Sequence, residues 1–385
     1  MKKFAHVLVL IILMAASGSS CQKSKPSIIG EVEVDPPATV YPLASITKVF
    51  GFDGQDRYAY CPSIIQEAEK RHIWFCGTEP AGQFIDHIYY IRGDLPYASR
   101  ITKTALAPGT AGQWDDRHVC DPSVIKGDFG FNGERYSYAM VYLGNRSDRY
   151  FNEIGVAFSQ TMDAENWVKY PQPLVTKTWM GEKDLAMGAA KAWGVGQPSV
   201  ISLDGRGEML LTYTIGDPDG TRVVTREADL FDMGNIKMTA PQRISTAGLS
   251  KLDNTSGNIV LLNADFAADA DKKNVFMTAH VNPNPVSYPA FISGAVDISS
   301  MPYDDFINNR GTWTLRQRIG RRESGFARNH NSGIGRDAFG VVTDPRKGEL
   351  YFTVSKEAPD VLSVPGNFAE WTYDIYKCAD IKLID

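Results

Sequence analysis

One five-residue pattern, met three times, constrains this chain more than any other feature. A polar or sulfur-bearing residue is followed by Pro-Ser and two branched apolar residues. The copies are Cys61-Pro62-Ser63-Ile64-Ile65, Asp121-Pro122-Ser123-Val124-Ile125 and Gln197-Pro198-Ser199-Val200-Ile201. Each leads through a turn into an apolar run: Ile73-Trp74-Phe75, Met140-Val141-Tyr142 and Met209-Leu210-Leu211. Two looser copies follow, Asn263-Ala264-Asp265-Phe266-Ala267 and Asp337-Ala338-Phe339-Gly340-Val341. The openings thus fall at 61, 121, 197, 263 and 337, between 60 and 76 residues apart.

A unit of that length holds about four short strands and their turns. Five such units predict an all-β fold, a five-bladed β-propeller with about four antiparallel strands per blade, over residues 41–385. Two β-sandwiches would explain the composition but not the spacing. The 34 Gly and 21 Pro fit many turns, and the 18 Phe, 17 Tyr and 7 Trp fit packing between sheets. At 385 residues the length alone suggests two or three domains. The repeat predicts one. Pro suits the first position of a strand, where its missing N–H costs little. The first strand of each blade lines the central axis, so the residue opening each copy is a site candidate: Tyr60-Cys61, Asp121, Gln197, Asn263 and Asp337.

Residues 1–20 read as a leader. Lys2 and Lys3 precede an apolar stretch, Val7 to Met14, too short to span a bilayer. Small residues and then Cys21 follow, the pattern of a bacterial lipoprotein signal with Cys21 as the lipid-bearing residue. Residues 21–40 are polar and carry Pro, as a tether does. The expectation is an exported, membrane-anchored lipoprotein, in the periplasm or at the cell surface, touching the membrane only through its lipid. The formal charge is −5, and −7 once Lys2 and Lys3 are removed, so no nucleic-acid partner is expected.

Cys61, Cys76, Cys120 and Cys378 remain, and an exported chain can bridge them. Cys61 and Cys76 flank a hairpin whose turn lies near Glu67–Lys70 and could face each other across it. Cys120–Cys378 is the other pairing considered. No CxxC spacing points to zinc.

Around the second opening, Asp121-Pro122-Ser123-Val124-Ile125 with Tyr138–Gly144 and Asn152–Trp167 resembles the second-blade text of the five-bladed propeller glycosidases, the group including family 43 and family 32 glycoside hydrolases. That resemblance implies carboxylates on successive inner strands. Glycoside hydrolysis needs one as acid and a second as base or nucleophile. Asp121 occupies the second-blade position. Tyr60-Cys61 and Gln197 stand where the first- and third-blade carboxylates belong. Glu182 or Asp184, in a helical-looking insertion over Glu182–Trp193, could supply the acid instead.

Three further groups are candidates. His118 and Asp121 form a His-x-x-Asp that can act as a base or, with His330, hold a divalent cation, calcium or a transition metal. Arg328, with Arg321 and Arg322, can bind an acidic sugar. Trp179 and Trp193 can stack on sugar rings. The expected protein is a monomer acting on an oligosaccharide or polysaccharide in the axial funnel as a glycosidase. Its alternatives are a metal-dependent sugar deacetylase and a non-catalytic glycan-binding lipoprotein. No dinucleotide fingerprint, P-loop, HExxH or Gly-x-Ser-x-Gly elbow is present.

Overall fold

The computed structural model describes residues 46–53, 57–79, 84–148, 151–176, 193–217, 219–251, 260–281, 293–355 and 373–385. The leader, the tether, Cys21, Trp179, Glu182, Asp184 and most of the expected insertion helix lie outside them. The described residues all fall within one compact unit, Val34–Asp385. They are almost wholly β, with two short helices, α1 (Tyr303–Ile307) and α2 (Arg321–Ser324).

The strands follow one another as meanders. The first sheet holds β2 (Ala59–Glu67), β3 (Lys70–Thr78), β4 (Asp86–Arg92) and β5 (Lys103–Leu106), in chain order; β1 (Ile46–Phe50) belongs elsewhere. The expected hairpin is present, with Ala68-Glu69 as its turn. A nine-stranded sheet follows. Its first part is β6 (His118–Phe131), β7 (Glu134–Asn145), β8 (Asn152–Ser159) and the short β9 (Val168–Lys169). Its second is β10 (Gly194–Ser202), β11 (Glu208–Asp217), β12 (Gly220–Asp229), β13 (Lys237–Met238) and β14 (Gln242–Arg243). The two parts meet at one parallel bridge, Asn152 to Gly194.

The next sheet contains β15 (Asp265–Asp269), β16 (Asn274–His280), β17 (Val296–Pro302) and β18 (Thr314–Ile319). The last contains β19 (Arg328–Ile334), β21 (Gly348–Ser355) and β22 (Tyr373–Ile381), with β20 (Val341–Val342) crossing to pair with β15. The outer place in this sheet is taken by β1, antiparallel to β22 with Ile46 opposite Cys378. The two ends of the described chain are thereby joined in one sheet.

Apolar clusters fill the gaps between neighbouring sheets. Trp74 and Ile88 pack with Met140 and Tyr142, Phe158 and Val156 with Val200 and Leu211, and Leu210 with Phe266 and Met277. Phe276 and Val296 pack with Phe352, and Phe75 and Tyr89 with Tyr351 and Ile375. A residue such as Trp74, with no exposed surface, contributes about 2–3 kcal/mol by burial alone.

The Pro-Ser repeat has a specific cause. The third residue of each copy accepts a hydrogen bond from the backbone N–H of the fourth residue of the next. Val124 N–H donates to Ser63 Oγ at 3.3 Å, Val200 N–H to Ser123 Oγ at 3.1 Å and Phe266 N–H to Ser199 Oγ at 2.9 Å. Asp265 takes the serine's place in the fourth copy and accepts from Ile334 N–H at 2.9 Å. The chain of contacts therefore runs through β2, β6, β10, β15 and β19.

This corrects the fifth opening. It is Asn331-Ser332-Gly333 on β19, not Asp337-Ala338-Phe339. Gly333 stands where the serine would be, because a Cβ there would lie 2.1 Å from the Pro62 carbonyl oxygen. The segment from Arg336 to Gly340 instead crosses the far end of the inner strands. Gln66, Lys126, Ser202 and Ala268 donate their backbone N–H groups to the carbonyls of Arg336, Ala338, Phe339 and Gly340 at 2.7–3.0 Å. Each donor sits five residues past its opening, roughly 16 Å along the strand. Asp337 is a turn residue there, its carboxylate accepting from Phe339 and Val341 N–H at 2.8 and 2.9 Å.

Arg336, 1% exposed, ties this floor together. Its guanidinium donates to Ser123 Oγ at 3.0 Å, to Ser199 Oγ at 3.3 Å and to the Phe266 carbonyl, and pairs with Asp265 at 3.1 Å.

Candidate functional site

The five openings share one backbone conformation. Cys61, Asp121, Gln197, Asn263 and Asn331 have φ of 51°, 46°, 53°, 49° and 40°. A side chain in this left-handed region costs roughly 1–2 kcal/mol, and Asn and Asp tolerate it best. The cause is a bulge. Pairing of the inner strand with its neighbour skips two residues at Tyr60/Ser63, Cys120/Ser123, Gly196/Ser199 and His330/Gly333. The skipped pair is the opening residue and the Pro or Ser after it. An unpaired residue in a bulge has no ladder bond to lose, and its side chain is re-aimed.

All five openings line one pocket that is open to solvent, together with Pro62, Pro122, Pro198, Ala264, Asp265 and Ser332.

Neutral hydrogen-bonding groups dominate the ring. Asn331 Nδ2 donates to Cys61 Sγ at 3.0 Å and to Asn263 Oδ1 at 3.1 Å. Gln197 Oε1 accepts from Asn263 N–H at 2.8 Å and from the Thr214 hydroxyl at 2.7 Å. Behind them, His280 Nε2 accepts Asn331 N–H at 2.7 Å, while Nδ1 lies 3.1 Å from the Asn263 side-chain amide. His330 is fully buried, with Nδ1 2.7 Å from Asn331 Oδ1 and its ring edge-on to Tyr373. Burial pushes both imidazoles down, His280 well below the usual range and His330 to about 4.

Asp121 is the carboxylate that an opening residue brings to the ring. It accepts from the Cys61 thiol and from Gln197 N–H. Burial pushes it up to about 6, the negative charge of Asp86 adds to the rise, and the Cys61 and Gln197 bonds oppose it. The other carboxylate lining the cavity, Asp265, is held by Arg336 and Ser199.

Asp86, at the start of β4, is a residue that the sequence reading missed. Its carboxylate accepts from Tyr58 Oη at 2.6 Å and Tyr60 Oη at 3.1 Å. His118 Nδ1 accepts Asp86 N–H at 3.0 Å and lies 3.3 Å from its carboxylate. Asp86 sits in an ordinary-looking strand, DHIYY, and only the adjacency of β4 to the start of β6 reveals it. His118 is thus directed at Asp86.

The remaining candidates separate. His118, Asp121 and His330 do not form a common ligand set among the described residues. Tyr60 stands behind the ring, between Asp86 and Cys120. Arg328 is 6% exposed, so it is no rim cation, and its charge faces His330. Trp193 covers Gly216 and Gly196 as a packing residue. The disulfide joins Cys76 to Cys120, with Cα atoms 5.1 Å apart, leaving Cys61 and Cys378 free. The bulge explains why Cys61 does not bridge Cys76. Cys76 lies opposite Tyr60, and Cys61 is turned into the cavity.

No protein-family model matches the chain, and no curated protein does. Solved structures do. The catalytic domain of a GH62 α-L-arabinofuranosidase from Coprinopsis cinerea superposes with a TM-score of 0.56 at 10% identity, covering 88% of this chain and 96% of that one. A family 117 glycoside hydrolase produced by the marine bacterium Zobellia galactanivorans gives 0.54 at 14% identity, covering 89% and 92%. The GH43_1 enzyme from Xanthomonas citri, complexed with xylose, gives 0.51 at 13%, covering 88% and 90%. This chain has the fold of the β-propeller glycoside hydrolases. Within that fold, the inner strands of the propeller carry the ring of openings, and its floor is the Arg336–Gly340 segment.

Proposed function

We propose that this protein is a five-bladed propeller that hydrolyses a glycosidic bond of an oligosaccharide at the ring of openings. The nine-stranded sheet counts as two blades joined by the Asn152–Gly194 bridge, which makes five with the other three sheets. The observation that carries the reading is Asp121, aimed into the cavity by a bulge and joined to Asp86 through electrostatic coupling. Asp121 is assigned to the anomeric centre and Asp86 to the second carboxylate role, because glycoside hydrolysis uses such a pair. The thiol and amides around them match sugar hydroxyls, which both donate and accept. Export as a lipoprotein anchored through Cys21 belongs to the same proposal and rests on the sequence of residues 1–40; a monomeric state is proposed with it.

The test is turnover on a panel of aryl glycosides and oligosaccharides, together with calorimetric binding of the same panel. Hydrolysis by the wild type that is lost in Asp121→Asn supports the assignment. Unchanged turnover in that variant sinks it. The neutral amides at three of the five openings favour one second reading, a glycan-binding protein; binding without turnover by any member of the panel would select it.

A further inference from the structure

The bulges gather sulfur at one side of the ring. Cys61 arrives on β2, Cys76 on β3 opposite Tyr60, and Cys120 on β6 just before Asp121. Their three Sγ atoms and an Asp121 carboxylate oxygen all lie within 4.8 Å of one another. Chain spacing gives no hint of this, since Cys76 and Cys120 are 44 residues apart.

Each sulfur also faces a hydrogen-bonding group. Asn331 Nδ2 donates to Cys61 Sγ at 3.0 Å, and Asp121 N–H to Cys76 Sγ at 2.9 Å. Tyr60 Oη lies 3.1 Å from Cys120 Sγ and 3.1 Å from Asp86. A disulfide needs no such partners, because its sulfurs are weak acceptors. Thiolates bound to a metal do, since donors to the ligand atoms orient them and spread their charge.

We propose that, once the Cys76–Cys120 disulfide is reduced, Cys61, Cys76, Cys120 and Asp121 bind a borderline-to-soft divalent cation of the zinc class. The reductant is a dithiol. It gives two electrons and two protons to the disulfide, leaving two cysteine thiols and its own disulfide. The cation then replaces the three thiol protons, which leave to solvent, with the Asp86 carboxylate, reached from Cys120 through the Tyr60 hydroxyl, as the first acceptor on that side. Three sulfurs and one oxygen make a tetrahedral set. With metal–sulfur bonds of about 2.3 Å the sulfurs sit roughly 3.8 Å apart, a spacing within reach of this cluster. The route in is the cavity, which Cys61 and Asp121 line. The loaded form holds Asp121 as a ligand, so it is a different state from the one proposed to act on sugars, and it does not depend on that activity.

The experiment uses the full chain, reduced with a dithiol and then freed of it, with zinc and cobalt as probes. Elemental analysis after gel filtration is expected to find one zinc per reduced chain and none per oxidised chain. Cobalt at one equivalent is expected to give the intense sulfur-to-metal absorption and visible bands of a tetrahedral thiolate site. Tyr60→Phe should weaken zinc binding roughly 10-fold, the lower range for loss of an outer partner. Reduced wild-type protein with no zinc, or a cobalt spectrum lacking the sulfur band, overturns the proposal without requiring any variant to fold. Equal zinc uptake by Cys61→Ser overturns it as well. Glycosidase assays play no part, so failure of the hydrolase reading leaves this result intact, and the reverse.

Discussion

The side-chain oxygen of Ser123 accepts the backbone N–H of Val200 at 3.1 Å and the guanidinium of Arg336 at 3.0 Å, so one hydroxyl joins three parts of the chain far apart in sequence. The same position in the neighbouring copies does the same work through Ser63, Ser199 and Asp265. Ser123→Ala strands a buried amide and part of a buried cation. It should cost about 1–3 kcal/mol in urea unfolding. Arg336→Met should cost at least as much, about 1–3 kcal/mol, because Asp265 would lose its cation and Ser123, Ser199 and the Phe266 carbonyl their buried donor. A loss below about 0.5 kcal/mol in both would show that the stitching is ornamental.

Gly333 tests closure between the last inner strand and the first. Its absent Cβ would lie 2.1 Å from a backbone carbonyl, which cannot rotate away. Gly333→Ala should therefore lose about 1–3 kcal/mol, the ordinary cost of overpacking. Gly320→Ala, with φ of −124° and no neighbour closer than 3.5 Å, controls for the loss of glycine itself. Equal losses in the two variants would remove the steric argument.

Much of this architecture was legible because Pro and Ser each have a physical task, Pro in the bulge and Ser as the stitch. Where one copy substitutes Asn263-Ala264-Asp265, the carboxylate still accepts the same bond, and the pattern survived. The fifth copy was misread because Ser332 replaces the proline and Gly333 cannot carry a side chain. Asp337-Ala338-Phe339-Gly340 happened to fall at a plausible spacing. Asn331 was recoverable from its preference for the left-handed region. The site was less legible. Asp86 meets His118, and Cys76 meets Cys120, only because β4, β3 and β6 are neighbours, and no local spacing records that adjacency.

Peptide mapping without reduction should recover Cys76 linked to Cys120, with Cys61 and Cys378 unlinked and the buried Cys378 alkylated only after unfolding. Opening this 44-residue loop should lower stability by up to about 4 kcal/mol on the chain-entropy account. Recovery of a Cys61–Cys76 peptide instead would contradict the bulge geometry.

Acid should weaken the protein through its buried imidazoles. His330 titrates near 4 when folded and near 6.5 when unfolded. Between those values the unfolded chain binds more protons. The contribution is therefore fully present above about pH 6.5 and declines as pH falls toward 4, by on the order of 3 kcal/mol for His330 alone. His280 adds to the decline in the same direction. Urea melts between pH 7 and 4.5 should show the slope, and His330→Gln should flatten it. Asp121, pushed up to about 6 in the fold, opposes this slope below pH 6, so the reading is the difference between wild type and variant: a slope unchanged in His330→Gln would refute the assignment of a neutral buried His330.

The Arg336–Gly340 segment, sealed by hydrogen bonds from four inner strands, closes the far end of those strands opposite the ring of openings. Whatever reaches Asp121 must back out through the mouth it came in by. A polymer cannot be threaded from the ring of openings through to the far end. On the hydrolase reading proposed above, substrate would enter and product leave by the same face of the ring.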